Sequence, residues 1–304
     1  MAEFTLRQLQ YFVAVVDHGS VTAAARQCSI SQAAASMSIS QLEHAVGVEL
    51  LIRTRSKTVA PTQAGVELAA RARRILGLAG EIGAAVAGAF DEMRGKLRIG
   101  CSATLSPRVL PRLVGQFHRN YPAVELTFRE GAAARLQEDV RNGRLDAAFV
   151  YALQSEEDLD RIEVAQVRQH LMLPADHPLA GRREIRFQDV ADEPAILLDI
   201  PPAIDRVVSM MQAAGVEPKL RWPSSNMETI RSLVAHGLGY SFVNYGPGPE
   251  TAADHPGVVY IPIANKLPAN PVVAMLPRGV KVPRRVAVAI DFVRAAAAET
   301  DRSG

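Results

Sequence analysis

Apolar residues at Leu6, Leu9, Phe12, Val13 and Val16 recur at the helical period, and Asp17, His18 and Gly19 end the run. Ser20 then stands where a cap is needed for a short helix through Cys28. Ser31 is placed to cap a third, which Gly47 closes. Three helices joined this tightly predict a helix-turn-helix unit. Within the third, Ala35, Ile39, Leu42 and Val46 make an apolar stripe. Gln32, Ala33, Ser36, Met37 and Ser40 fall mainly on the opposite side, and the segment 29–47 holds neither Lys nor Arg.

The pattern next becomes extended. In 49–62 Arg53, Arg55 and Lys57 alternate with Thr54 and Ser56, so a two-stranded wing would present three positive charges on one face. Thr62 is placed to cap an Ala-rich helix reaching about Phe90. Leu68, Ala72, Ile75, Ala79, Ile82, Val86 and Ala89 form its stripe. At ~1.5 Å per residue this is an arm of roughly 40 Å, longer than a small winged unit covers, and a helix from a second chain is its expected cover. From Gly95 the grammar alternates. Strands are predicted at 95–101, 124–130 and 145–150, with helices at 106–122 and 133–143 between them. Further strands are expected at 170–174, 195–198, 219–222, 240–243 and 271–277. Helices are expected at 203–214, 227–236 and 283–298. That alternation predicts a largely parallel, doubly wound sheet, arranged as two α/β lobes.

Composition adds limits. The chain has 304 residues, enough for two domains, with 48% hydrophobic and 22% charged residues, an ordinary globular balance. A net charge of +2 gives no global basic field, so nucleic-acid contact has to come from a local patch. Two distant cysteines, Cys28 and Cys101, make no disulfide framework, which fits a reducing cytosol. The N-terminal stretch lacks a signal-peptide core, and charges or glycines interrupt every apolar run, so no membrane partner is expected. The seven His show no metal-ligand spacing. Enzyme motifs fare no better: 236–242 offers GxGxxF after a helix, 239–243 fails as a GxSxG elbow, and there is no phosphate-binding GxxxxGK[ST] loop. No cofactor and no catalytic residue is expected.

The segment 20–65 resembles the DNA-binding region of LysR-type transcriptional regulators. Ala24, Ala25, Ser31, Gln32, Ser36, Ile39, Leu42, Glu43, Gly47, Leu50, Arg53, Thr62, Ala64 and Gly65 carry the resemblance. The segments 141–150 and 233–243 are similar to that family's effector domain. Cys28 stands where the family usually has Leu, Leu51 where Phe is frequent, and Ala132, after Glu130 and Gly131, where many members have Thr or Ser.

The resemblance implies a winged helix-turn-helix domain over 1–62 and a linker and dimerisation helix over 63–91. It places after them a two-lobed effector-binding domain like a periplasmic binding protein over 92–304, with lobe I about 92–164 and 267–304 and lobe II about 165–266. It also implies a homodimer or homotetramer on double-stranded DNA, a small-molecule effector, often anionic, between the lobes, and RNA polymerase as a further partner in the cytoplasm. A face without bulk can enter the major groove. Gln32 would then reach adenine, Ser36 a base or phosphate, with Ser31, Ala33, Met37 and Ser40 beside them, while Arg26, Arg53, Arg55 and Lys57 would hold the backbone. Five basic against four acidic side chains in 1–62 make a single unit a modest binder.

Effector contacts are expected where strands end and helices begin. These are Ser102 and Thr104, with the free amides of a helix capped by Ser106, then Gly131 and Ala132, and across the cleft Pro201, Pro202, Asn226 and Met227. The plainer reading of each such Ser, Thr or Asn is a helix cap, and that of Cys101 a small buried hydrophobe. Two rival readings remain. One is a solute-binding or metabolic α/β protein with a helical dimerisation arm; the basic wing and the Ser31-Gln32 pattern disfavour it. The other is an α/β enzyme with an appended DNA-binding unit, for which no catalytic constellation is present.

Overall fold

In the computed structural model, which describes residues 4–53, 59–86, 93–155, 158–244 and 257–302, helix α1 (Leu6–His18) begins at a reciprocal cap. The Thr5 hydroxyl accepts the Gln8 amide at 3.2 Å, and the Gln8 side chain accepts the Thr5 amide at 2.7 Å. Helices α2 (Val21–Gln27) and α3 (Gln32–Val46) start at Ser20 and Ser31, whose hydroxyls accept the amides of Ala23 and Ala34. Gly47 ends α3 at φ 73°, a conformation that costs a glycine little. Leu9, Phe12, Val15, Ala24, Ile39, Leu42 and Leu50 fill the core between the three helices.

Strands β1 (Leu51–Arg53) and β2 (Val59–Pro61) pair antiparallel, with Arg53 opposite Val59. Arg55 and Lys57 lie outside the described residues, and only the backbone of Arg53 is placed. The Glu43 carboxylate accepts the amides of Leu50 and Leu51 at 2.8 and 3.2 Å, which ties the wing to α3.

Helix α4 (Gln63–Val86) starts at Thr62, whose hydroxyl accepts the Gly65 amide at 3.0 Å and donates to the Glu49 carbonyl at 2.9 Å. A Cβ on Gly65 would lie 2.1 Å from the Leu50 carbonyl oxygen, so the helix can cross the wing this closely only with glycine there. Part of the α4 stripe, expected to be covered by a second chain, is covered by its own. Ala69 and Ala72 are buried in the winged unit's core, with Leu68 and Leu76 packed against it. Ile75 and Leu78 remain exposed, at 40% and 55%.

Lobe I contains β3 (Gly95–Ser102), α5 (Ser106–Asn120), β4 (Val124–Gly131), α6 (Ala133–Arg141), β5 (Ala147–Tyr151) and β6 (Asp160–Ala165). Lobe II follows with β7 (His170–Pro174), β8 (Pro194–Ala195), α7 (Ala203–Ala213), β9 (Lys219–Leu220), α8 (Met227–Ala235), β10 (Ser241–Val243) and β11 (Val258–Pro262). The chain then returns to lobe I for β12 (Val272–Leu276) and α9 (Arg284–Arg302). The lobe I sheet has the order β4-β3-β5-β12-β6, with β3 parallel to β4 and β5 and β12 antiparallel to β5 and β6. In lobe II, β10-β7-β11 is antiparallel and β8-β9 parallel, joined by a parallel bridge from Ala195 to Tyr240.

The sheets are therefore mixed, not largely parallel. A chain that leaves lobe I and re-enters it comes back as a strand inserted between β5 and β6, and it runs against both. The pattern of apolar positions missed β6 and β11, and it overran the short β8 and β9. Apolar clusters cover both faces of the lobe I sheet, and a separate pair fills lobe II.

Candidate DNA-binding face and effector cleft

On α3, burial divides the residues by face. Ala35, Ile39 and Leu42 are 1% exposed or less, and Val46 packs partly against them. Ser31, Gln32, Ala33, Met37 and Ser40 are exposed, Met37 at 62%, and Ser36 is half-buried. The structure thus brings these six side chains onto one outward strip, from which Ser31 is withdrawn in part by its capping bond. Arg26 is exposed on α2, and Ile52 of the wing is 54% exposed. The strip is uncharged and, apart from Gln32 and Met37, built of small side chains.

The effector candidates gather in two groups. In lobe I, Ser102 pairs with Gly131 across β3 and β4, and the Ala103 amide donates to the Gly131 carbonyl at 3.3 Å. Ser102, Thr104, Gly131 and Ala132 are thereby brought to the carboxyl ends of two parallel strands. In lobe II, the Asp199 amide donates to the Ser224 carbonyl at 2.9 Å and Leu198 bridges to Ser224, so the chain just before Pro201 lies beside the chain just before Asn226. That places Pro201 and Pro202, joined by a cis peptide, in the loop before α7 and Asn226 and Met227 at the start of α8. Asn226 serves as a cap, accepting the amides of Glu228 and Thr229 at 2.8 and 3.3 Å. Met227 packs partly into the lobe II core.

The start of α5 departs from expectation. Leu105 is the cap position, Ser106 is already helical, and the buried Ser106 hydroxyl donates to the Glu130 carboxylate, with the Ala103 carbonyl 3.1 Å from the same oxygen. A carboxylate of the chain itself therefore sits beside this helix start and disfavours an anion there. The start of α6 is different, because Ala132 offers no side-chain cap. Ser102 faces the α6 side of the sheet. Alternation along β3 puts Leu97, Ile99 and Cys101 under α5, while a Cβ on Gly100 would meet Leu136, Leu145 and Ala148. The Ser102 hydroxyl is buried and has no hydrogen-bond partner among the described residues.

Two functional candidates have no strong signal in the sequence. Asn270, 5% exposed, spans the joint between the lobes: its carbonyl accepts the Leu153 amide at 2.9 Å and its amide donates to Asn244 at 3.0 Å. Asp139 is fully buried on α6, 2.8 Å from Arg129 and 3.3 Å from Arg144. An acid on the apolar stripe of Ala133, Leu136 and Val140 was its only trace. Cys101 is buried in the lobe I core, where burial and then the charge of Glu130 push its thiol pKa well up. Among the described residues no group of His, Cys, Asp and Glu is placed to hold a metal ion, and no helix is long and apolar enough to cross a membrane.

Comparison with known proteins matches residues 6–66 to the bacterial regulatory helix-turn-helix protein model of the lysR family and residues 90–298 to the LysR substrate binding domain. A hydrogen peroxide-inducible genes activator from Pectobacterium carotovorum subsp. carotovorum is 30% identical over 258 residues, 84% of this chain and 85% of that protein. HinK, a LysR family transcriptional regulator from Pseudomonas aeruginosa, is 30% identical with a TM-score of 0.63 over 97% of this chain and 99% of that one. A full-length OxyR variant from Pseudomonas aeruginosa is 27% identical with a TM-score of 0.79 over 97% and 96%. With both units of the chain matched in order, the protein belongs to the LysR family: it is a transcriptional regulator with a helix-turn-helix DNA-binding domain and an effector-binding domain.

Proposed function

We propose that the outward strip of α3 reads an operator in the major groove, with Gln32 and Ser36 at base edges and Ser31, Ala33, Met37 and Ser40 packed along the groove. Arg26, Arg53, Arg55 and Lys57 hold phosphates on either side. The observation that carries this is the division of α3, whose apolar face is fully used by the core while an uncharged strip of short side chains points outward. The protein acts as a dimer or tetramer, with the exposed Ile75 and Leu78 of α4 at the contact between chains. Pairing two units over two half-sites supplies the affinity that a single near-neutral unit lacks.

The effector binds between the lobes, against Ser102, Thr104, Gly131 and Ala132 on one side and Pro201, Pro202, Asn226 and Met227 on the other. An oxygen of the effector meets the uncapped start of α6 and the unpartnered Ser102 hydroxyl, away from Glu130. Several relatives are named as activators of hydrogen peroxide-inducible genes. In this chain the two cysteines lie in different domains, and the one near the cleft is buried and held as a neutral thiol. Occupancy of the cleft, not thiol oxidation, is the switch, and the protein works in the cytoplasm without catalysis.

The test is selection from a random-sequence duplex pool with the full-length protein. The expected product is a partly palindromic sequence with half-sites about one helical turn or a multiple apart, bound less tightly as salt rises. Failure to enrich any sequence would overturn the assignment of α3.

A further inference from the structure

Helix α6 has two ends with different neighbours. Its first residue follows Ala132 at the cleft, and its last carbonyls meet the linker helix. The Arg73 guanidinium donates to the Asn142 carbonyl at 3.1 Å and to the Asp17 carboxylate at 2.5 Å. Arg74 donates to the Arg141 carbonyl at 3.2 Å. Asp17 belongs to α1 of the winged unit, so one side chain on α4 grips both the DNA-binding domain and the effector lobe. The Arg73 side chain is only 6% exposed, and a buried guanidinium is tolerated only when partnered. Arg144 of lobe I also approaches Asp17, at 3.9 Å.

The same cluster continues toward the cleft. Arg144 donates to Asp139 on α6 at 3.3 Å, and Arg129, two residues before Gly131 on β4, donates to the other Asp139 oxygen at 2.8 Å. From Ala133 to Arg141 the helix is about 13 Å long at ~1.5 Å per residue. A packed helix of that length moves as a unit, so a displacement at Ala132 reaches Asn142. The peptide carbonyls at its far end carry the negative end of the helix dipole, which suits two guanidiniums.

We propose that Asp17, Arg73 and the carboxyl end of α6 form an interdomain clasp, and that α6 carries the state of the effector cleft to it. The clasp fixes the recognition helix relative to lobe I when closed and releases it when α6 shifts. The link to the cleft rests on the effector reading above; the clasp itself does not.

The Gly143 backbone gives a direct probe, since a Cβ built there lies 3.2 Å from the Arg73 Cβ. That is slightly inside the ~3.5–4.5 Å of a disulfide, a difference small backbone shifts absorb. Full-length protein carrying Arg73→Cys, Gly143→Cys and Cys28→Ser is oxidised and run on a non-reducing gel. The expected product is a cross-link within one chain, which runs as a monomer. Asp17→Asn, which keeps shape and weakens the grip, is the second variant. Binding is measured to the duplex selected with the wild-type protein and to an unselected duplex of equal length.

The locked form and Asp17→Asn are expected to shift affinity for the selected duplex in opposite directions from wild type, at least fivefold apart, with a much smaller shift on the unselected one. A cross-link between chains, or none, in folded protein overturns the clasp. So do affinities within twofold of one another. An equal shift of Asp17→Asn on both duplexes would mark only the loss of a negative charge near DNA, and also overturns it. Gly143 sits at φ +63°, where Cys is strained. If that variant does not fold, Asp17→Asn against wild type decides alone, by the same twofold limit. Should no duplex be enriched at all, the DNA reading fails and not the clasp, whose cross-link needs no DNA.

Discussion

On α3 the candidate contacts lie between Gln32 and Ser40, on one side of one helix, and a cap and a glycine fix that helix from within a few residues. The cleft draws its candidates from four junctions between Ser102 and Met227, two in each lobe. The first site needs only the helical period to become visible. The second needs the register of β3 with β4, the bridge from Leu198 to Ser224 and the return of β12. Short-range order makes a reader of DNA that is nearly the same in every packing, while long-range order makes a cleft whose shape depends on how two lobes meet. That is a suitable division for a regulator, in which one part has to stay rigid and the other to change.

Between these regions stands α4, and its outer face gives the largest expected effect. Ile75→Asp with Leu78→Asp would place two carboxylates in the proposed contact between chains, each costing several kcal/mol if buried unpaired. In the isolated chain both positions face outward, so the fold is expected to persist. Sedimentation will show monomers, and affinity for the selected duplex will fall by at least tenfold. An unchanged oligomer would move the contact to another face.

The next comparison sets one buried acid against one half-buried acid. Asp139→Ala removes a fully buried acid from between Arg129 and Arg144, whose own side chains reach solvent, and is expected to cost about 1.5–3 kcal/mol of stability. Glu43→Ala leaves two wing amides short of an acceptor at a site water can reach, at about 1–3 kcal/mol. Denaturant melts of the full-length protein compare the two. Equal costs would mean that the Asp139 cluster is no better shielded from solvent than the wing.

These two acids also show how far the sequence could be read. Glu43 stands among the family-like residues, but the amides it accepts are those of Leu50 and Leu51, beyond the helix end, so its task depends on where the wing folds back. Asp139 lies on an apolar stripe, a visible conflict, yet Arg129 and Arg144 reach it from β4 and from the loop after α6. The three N-terminal helices, the caps Ser20 and Ser31 and the alternation of lobe I could be read because each is set by local periodicity. The burial of Ala69 and Ala72 against α1, the mixed sheets and the Glu130 carboxylate at α5 could not, because each depends on contacts across many residues.

A smaller effect tests the uncharged strip directly. Gln32→Ala is expected to cost ~1–3 kcal/mol on the selected duplex and to relax preference at one base position, while leaving the slope of affinity against salt unchanged. Arg26→Ala is expected to weaken selected and unselected duplexes alike and to make that slope shallower by about one unit. Quantitative binding over a salt series separates the two. If Gln32→Ala behaved like Arg26→Ala, the strip would hold phosphate and would not read bases.

The smallest effect falls in the lobe I core. Cys101 lies under α5, fully buried, among Ile99, Leu110 and Phe149. Burial disfavours its thiolate, and the nearby Glu130 charge disfavours it further, so at neutral pH the sulfur stays protonated. The thiolate is the form that attacks peroxide, and this thiol lacks both the charge and the access. Cys101→Ala should therefore behave as the loss of one core atom, at roughly 1 kcal/mol in a denaturant melt. Full-length protein treated with hydrogen peroxide is expected to keep its affinity for the selected duplex within twofold, with or without Cys101. A rapid change in the wild type that Cys101→Ala abolishes would reverse the argument and make the core sulfur the sensor.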